Sequence, residues 1–330
     1  MRRLHPPSSA FRISLCLLAA VLASCSAAAT SVPTPTETPI PALTMTPTPP
    51  PFRIIAYATH AIIESLIPYD QLTHINYSFL TPNADGTFNP ITNAWKLQQI
   101  VATAHTRNVQ VLISVGGWGW DHQFEELAAN PESRSAFVQN LKAFMDQYQL
   151  DGADIDWEYP DPGESSQNFL ALITELRAAM PDKLLTSAVV AYGDEYGLGI
   201  PTETFELFDF INIMTYAGKD HGTMEQFNKG LEYWSSRGLP MDKIVIGVPF
   251  YSEPGGVSFT KLVKDDPAAA QVDTFDYIGA VQRYNSMPTI QTKTKIAMQQ
   301  AGGIMFWALD HDAQGEFSLV NAIYEIVHTP

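Results

Sequence analysis

Residues 52–330 are expected to close into a (β/α)8 TIM barrel, and three observations carry that expectation. Eight short β-rich runs alternate with amphipathic runs of helical period, the pattern of a parallel sheet covered by helices. Eight such units need about 250 residues, which this span supplies. The competing architecture, a doubly wound open sheet, would carry a glycine-rich phosphate loop after its first strand. Ile55-Ala56-Tyr57-Ala58-Thr59-His60 stands there instead.

Taken in order, residues 1–24 read as a lipoprotein signal peptide. Arg2, Arg3 and Arg12 precede the apolar run Ile13–Ala23, which is about half the ~20 residues that a spanning helix needs. Leu22-Ala23-Ser24-Cys25 resembles the lipobox of bacterial lipoproteins, which implies cleavage before Cys25 and acylation of its thiol. The other cysteine, Cys16, lies inside the leader, so the mature chain forms no internal disulfide although it is exported. Residues 25–51 hold this lipidated Cys and a Pro/Thr-rich linker, with runs such as Thr46-Pro47-Thr48-Pro49-Pro50-Pro51. Such a segment stays extended at ~3.1 Å per residue and cannot pack a core, so it is expected to tether the folded part off a membrane surface.

The strand candidates are Arg53–Ala58, Thr73–Phe79, Val109–Val115, Asp151–Trp157, Leu184–Val190, Phe210–Tyr216, Lys243–Pro249 and Gly302–Ala308. Between them lie apolar residues three and four apart, such as Phe137, Leu141, Phe144, Met145 and Tyr148, and Phe169, Leu172, Ile173 and Leu176. With 45% hydrophobic residues the chain can bury a full core, which excludes disorder of the whole. Nineteen Lys and Arg against 35 Asp and Glu give a net charge of -16, which repels phosphate backbones. A nucleic-acid partner is excluded, and a neutral partner such as a sugar fits better.

In a barrel of this class the chemistry sits at the C-terminal ends of the strands. The fourth strand runs Asp151-Gly152-Ala153-Asp154-Ile155-Asp156-Trp157-Glu158-Tyr159-Pro160. Side chains alternate faces, so Asp154, Asp156 and Glu158 share one face while Ile155 and Trp157 take the other. With the apolar pair toward the helices, three carboxyls point into the barrel, their Cα atoms ~6.7 Å apart in succession, close enough for neighbours to share a proton. Three ionised acids there are costly, so at least one is expected to hold a proton near neutral pH. A protonated carboxyl is a general acid, and Glu158, nearest the open mouth, is the candidate. Solvated surface acids are the alternative, but a mid-barrel strand offers no exposed edge. A Ca²⁺ or Mg²⁺ site is another, but a straight strand does not wrap an ion and no His cluster suggests zinc. No metal and no cofactor is expected.

The motif Asp151-Gly-Ala-Asp154-Ile-Asp156-Trp-Glu158 resembles the DxxDxDxE signature of family 18 glycoside hydrolases, the chitinase family. Other motifs arrive in the family's order: Leu72-Thr73-His74-Ile75-Asn76-Tyr77, Ser114-Val115-Gly116-Gly117-Trp118, Ile246-Gly247-Val248-Pro249-Phe250-Tyr251 and Gly302-Gly303-Ile304-Met305-Phe306-Trp307. The resemblance covers Phe52 to about Tyr324. It implies hydrolysis of β-1,4 bonds next to N-acetylglucosamine, in chitin or chitooligosaccharides, by a retaining, substrate-assisted route. On that reading Glu158 protonates the leaving oxygen, and Asp156 orients the acetamido group whose carbonyl attacks the anomeric carbon. Asp154 exchanges a proton with Asp156, and Tyr216 hydrogen-bonds the acetamido oxygen. Trp307 packs on the sugar face, while Tyr57, Gly117, Trp118, Tyr159 and Met214 line the subsite. Tyr57 and Met214 read equally well as barrel core. Trp118 and Trp120 follow two glycines past a strand end, which favours the cleft. Asp151 and Ser114 are expected as structural support.

The sequence leaves the family pattern in three places. The sixth strand ends Met214-Thr215-Tyr216-Ala217, where the family usually has Asp after the Tyr; Asp220 is a candidate substitute. Tyr251 is followed by Ser252-Glu253 in place of Gly-Arg. Only about fifty residues separate Tyr251 from Gly302, part of them (Thr289–Gln300) the seventh helix, so no sizeable α+β insertion domain is expected. An open cleft and endo attack follow from that. The expected protein is thus an exported, lipid-anchored monomer whose only membrane contact is through Cys25. Alternatives are an endo-β-N-acetylglucosaminidase on N-glycans or peptidoglycan, and a weakly active or non-catalytic chitin-binding lectin-like member, which the presence of Glu158 disfavours. A tethered solute-binding protein would need two lobes that the pattern lacks.

Overall fold

The computed structural model describes residues 51–329. The expected signal peptide, Cys25 and residues 26–50 of the linker lie outside the described residues.

The described residues carry seven strands alternating with helices: β1 (Arg53–Thr59), β2 (His74–Leu80), β3 (Gln110–Gly116), β4 (Gly152–Asp156), β5 (Leu184–Val190), β6 (Phe210–Met214) and β7 (Ile244–Pro249). A two-stranded antiparallel hairpin follows, β8 (Thr274–Tyr277) and β9 (Ala280–Arg283), and then β10 (Gly303–Trp307). Strands β1 to β7 and β10 pair in parallel and close on one another, β10 lying between β7 and β1. Each barrel strand overlaps its expected run, so the (β/α)8 TIM barrel is the fold. The helices are α1 (Ala94–His105), α2 (Asp121–Ala129), α3 (Pro131–Tyr148), α4 (Glu164–Ala179), α5 (Asp194–Gly197), α6 (Met224–Ser236), α7 (Phe259–Asp265), α8 (Met287–Gln300) and α9 (Leu319–His328).

Local chemistry sets the helix ends. Asn130 accepts the Glu132 N–H ahead of Pro131 at the start of α3, and Gln149 closes that helix at φ 56°. Ser286 caps α8 in the same way, with Pro288 in its first turn. Buried Asp312 accepts the Leu319 and Val320 N–H groups at the start of α9.

Strand alternation divides the core in two. Outward side chains pack beneath the helices: Trp157 stacks on Phe124 (5.2 Å, 9°), meets Phe169 at 5.9 Å and donates its indole N–H to Asp121 (2.7 Å). Truncating such a buried Trp costs about 3–5 kcal/mol. Inward side chains form a smaller plug of Ile55, Tyr57, Ala188, Phe210, Met214, Val245 and Met305. His74 closes its lower end, edge-on to Phe210 at 5.3 Å.

Between β7 and the last barrel strand, α7 and the β8–β9 hairpin precede α8. Helix α8 contains the expected seventh helix, and the insertion amounts to one short α-helix, a 3-10 turn (Pro267–Gln271) and one hairpin. The hairpin turns at Ile278 and Gly279, both at positive φ (52° and 77°), the backbone of a tight primed turn.

Candidate active site

Parallel register sets Ser114 beside Asp154 and Asp154 beside Thr186, so these side chains enter the barrel at one height. Asp154 is fully buried and accepts four hydrogen bonds, from Tyr57 Oη (2.9 Å), Ser114 Oγ (2.8 Å), Thr186 Oγ1 (2.6 Å) and Asn212 Nδ2 (3.0 Å). Burial pushes its pKa up, against the pull of those donors. Both Asp154 oxygens are taken by these four donors, which come from the adjacent strands β3 and β5 and from β1 and β6 further round the barrel.

Asp156 ends β4 one layer higher, 3% exposed, with Oδ1 buried and without a hydrogen-bond partner. Burial raises its pKa well above the carboxylate range, and the charges of Glu158 and Asp154 add to the effect. Glu158 follows at the barrel mouth, where burial raises its carboxyl to about 7 while the Tyr159 hydroxyl works against the rise. Both directions favour a proton held in the Asp156 and Glu158 pair near neutral pH.

These acids open into a cavity of about 240 Å³ lined by Tyr57, Phe79, Trp118, Asp156, Glu158, Met214, Tyr216, Ala217, Tyr251 and Trp307. Tyr57 and Met214 therefore belong both to the inner core and to the cavity wall. Trp307 stacks on Phe79 (5.4 Å, 20°) and meets Tyr57 at 5.8 Å, so the floor is a slab of rings. Trp118 stands 80% exposed at the rim. The Tyr216 hydroxyl rests 3.9 Å from Met305 Sδ, a weak contact that leaves it able to turn to a ligand.

Two expected cavity residues stand elsewhere. The Gly117 N–H is spent on the Asp156 carbonyl (2.8 Å), and at φ 89° a Cβ there would lie 2.7 Å from the Phe79 ring. Gly117 thus positions the floor from behind. Tyr159 stacks on Tyr196 (5.0 Å, 29°) outside the cavity, its hydroxyl beside Glu158. Trp120 packs against the outer core. Asp151 sits at the opposite end of β4, accepting from His105 Nε2 (2.9 Å) and the Val111 N–H (2.7 Å). Asp220 accepts from the Tyr192 hydroxyl (3.1 Å), and it is Ala217 that faces the cavity.

Phe79 and Tyr251 were not singled out for the cavity. Tyr251 follows β7 within a motif that resembled the family's, and that was its only available signal. Among the described residues no group of three or more His, Cys, Asp or Glu is arranged to hold a metal ion.

A pair of acids at the mouth of a closed barrel, over an aromatic floor, defines a carbohydrate-active site. Residues 53–312 match the family described as glycosyl hydrolases family 18, and the chain belongs to that family. It is a glycosidase of chitinase type. Chitinase 1 of Aphanocladium album is 25% identical over 338 residues, spanning 78% of this chain and 80% of that protein. The crystal structure of a chitinase from Bacteroides thetaiotaomicron aligns with a TM-score of 0.76 at 28% identity, over 84% of this chain and 97% of its own. That of the chitinase ChiB from the chitin utilization locus of Flavobacterium johnsoniae gives 0.73 at 29%, over 84% and 94%.

Proposed function

We propose that the protein cleaves β-1,4 bonds next to N-acetylglucosamine with retention, using the substrate's acetamido group as nucleophile. The observation that carries this reading is the buried, unpartnered Oδ1 of Asp156 beside a carboxyl raised to about 7. An acetamido N–H is a donor of the kind that orphaned acceptor lacks.

Glu158, protonated, gives its proton to the glycosidic oxygen as the bond to the anomeric carbon breaks. The acetamido carbonyl oxygen closes on that carbon and an oxazolinium ion forms. Asp156 accepts the acetamido N–H and offsets the positive charge, with Asp154 held beneath it by four donors. The Tyr216 hydroxyl donates to the acetamido oxygen, and the Trp307 and Phe79 slab supports the sugar ring. Glu158, now ionised, takes a proton from water, which opens the ion from the face the leaving group left. The first product should therefore be the β-anomer. An NMR time course showing the α-anomer first would overturn the route.

The short insertion supports an open cleft and endo attack by a monomer. Early products should span several lengths, and a ladder of dimers alone in the first minutes counts against this reading. The protein is held at the extracytoplasmic face of the cell membrane by lipid on Cys25. C25S should release it from the membrane fraction of the producing cell, and unchanged fractionation would refute the anchor.

A further inference from the structure

Ala217 and Glu253, two positions at which the sequence leaves the family pattern, both approach His221 Nδ1, beside the cavity-lining Tyr251. Ala217 is exposed, lines the cavity and holds φ at 64°. Its N–H donates to Nδ1 of buried His221 (3.0 Å), whose Nε2–H donates to the Tyr251 carbonyl (3.0 Å). Both ring nitrogens are engaged in the neutral form, and burial lowers the ring's pKa, so His221 adds no charge here.

Glu253 lies two residues after Tyr251 and so on the same side of an extended segment. Paired backbone hydrogen bonds with Arg283 hold it there (2.9 and 2.8 Å). Its Oε1 comes within 4.0 Å of His221 Nδ1, the nitrogen that accepts the Ala217 N–H. Among the described residues no Lys or Arg side chain forms an ion pair with it, and no cationic side chain lines the cavity. The margin at Ala217 therefore combines open space, the methyl of an alanine and a part-exposed carboxylate with no Lys or Arg in direct contact, although the charges of Arg283 and Lys293 reach His221.

We propose that Glu253 is a specificity-determining residue that seats a protonated amine, so that the preferred substrate is a chitin chain carrying free glucosamine units rather than a fully acetylated or anionic one. This rests on the glycosidase mechanism above, which still needs an acetamido group on the sugar being cut. The amine belongs to a neighbouring unit. An N-acetylmuramic acid unit, with its carboxylate, would be repelled from the same place.

The test compares kcat/KM of the full chain on chitooligosaccharides of one length, fully acetylated or carrying one free amine, at mildly acidic pH. The readout is the ratio of amine to acetylated substrate, so a general loss of activity does not count. E253Q should lower that ratio about fivefold and E253R further, the size expected of a part-exposed ion pair. In the unaltered protein, raising ionic strength to about 1 M, where the Debye length is about 3 Å, should move the ratio the same way without any substitution. A ratio within about twofold of wild type in E253Q and flat with salt would overturn the proposal, as would equal losses on both substrates, which would make Glu253 a support for His221 alone. Turnover of the acetylated chain in those cases leaves the glycosidase mechanism standing; turnover of neither chain by the unaltered protein would refute both.

Discussion

Replacing Asp154 separates the count of hydrogen bonds from the charge that receives them. D154A removes the acceptor of four donors, from Tyr57, Ser114, Thr186 and Asn212, at a fully buried position. At about 1 kcal/mol net each, with relaxation recovering part, the loss is about 3–4 kcal/mol. At roughly 2–4 °C per kcal/mol for a domain of this size, Tm should fall by about 10 °C. D154N should cost only about 1 kcal/mol, because three hydroxyls can turn to donate or accept and the buried Asn212 Oδ1, without a partner, can accept from the new amide after a flip. Its cost should also depend on pH. Because burial raises the Asp154 pKa, the stability tied to its proton is fully present below the ordinary carboxylate range and is lost as pH rises through the raised value. The Asn variant does not titrate there, so its deficit should shrink as pH rises from the ordinary carboxylate range through the raised value. Urea unfolding followed by near-ultraviolet circular dichroism measures each value. D154A within about 1 kcal/mol of wild type would refute the hub, and D154N as damaging as D154A would show that charge rather than hydrogen-bond count governs the site.

Activity should fall about tenfold per pH unit above about 7 as Glu158 loses its proton, and Y159F, lacking the hydroxyl that opposes the rise, should move that limb to higher pH; a pH profile of kcat/KM shows either. G117A should destabilise by about 1–3 kcal/mol, since its backbone is at positive φ, and should raise KM by displacing Phe79 under Trp307, which denaturation and steady-state kinetics would show. Lys293 is fully buried on α8, donating to the Gly222 carbonyl (2.7 Å) and Asn285 Oδ1 (2.8 Å), and burial lowers its pKa to about 7. A lowered native pKa favours the folded state above the unfolded value and loses that advantage as pH falls toward about 7. The stability of wild type relative to K293M should therefore rise with pH between about 7 and about 10, and a flat difference would contradict the burial argument.

The barrel was legible because β-branched runs and helical periods alternate eight times, and the acids because Asp-x-Asp-x-Glu puts three carboxyls on one strand face. The partners of Asp154 were less legible. They come from β1, β3, β5 and β6, and which residues meet at one height depends on register across strands far apart in sequence. Phe79 and Tyr251 stand at strand ends, where an aromatic reads equally as core or cleft. The hairpin turns at Ile278, a β-branched residue at positive φ that marks no turn in the sequence, and its four-residue strands bury only Phe275 and Tyr277 in part, too short a pattern to stand out. Gly117 and Tyr159 were placed in the right neighbourhood. Their backbone hydrogen bond and ring stacking, which take them out of the cavity wall, have no local sequence signature.

The most direct test of the glycosidase mechanism is release of 4-methylumbelliferone from chitobioside and chitotrioside substrates by the protein and its E158Q variant. Loss of the general acid should lower kcat by at least ~10²-fold with KM little changed and the fold intact. An E158Q enzyme within about tenfold of wild type would contradict the assignment of Glu158 as the proton donor.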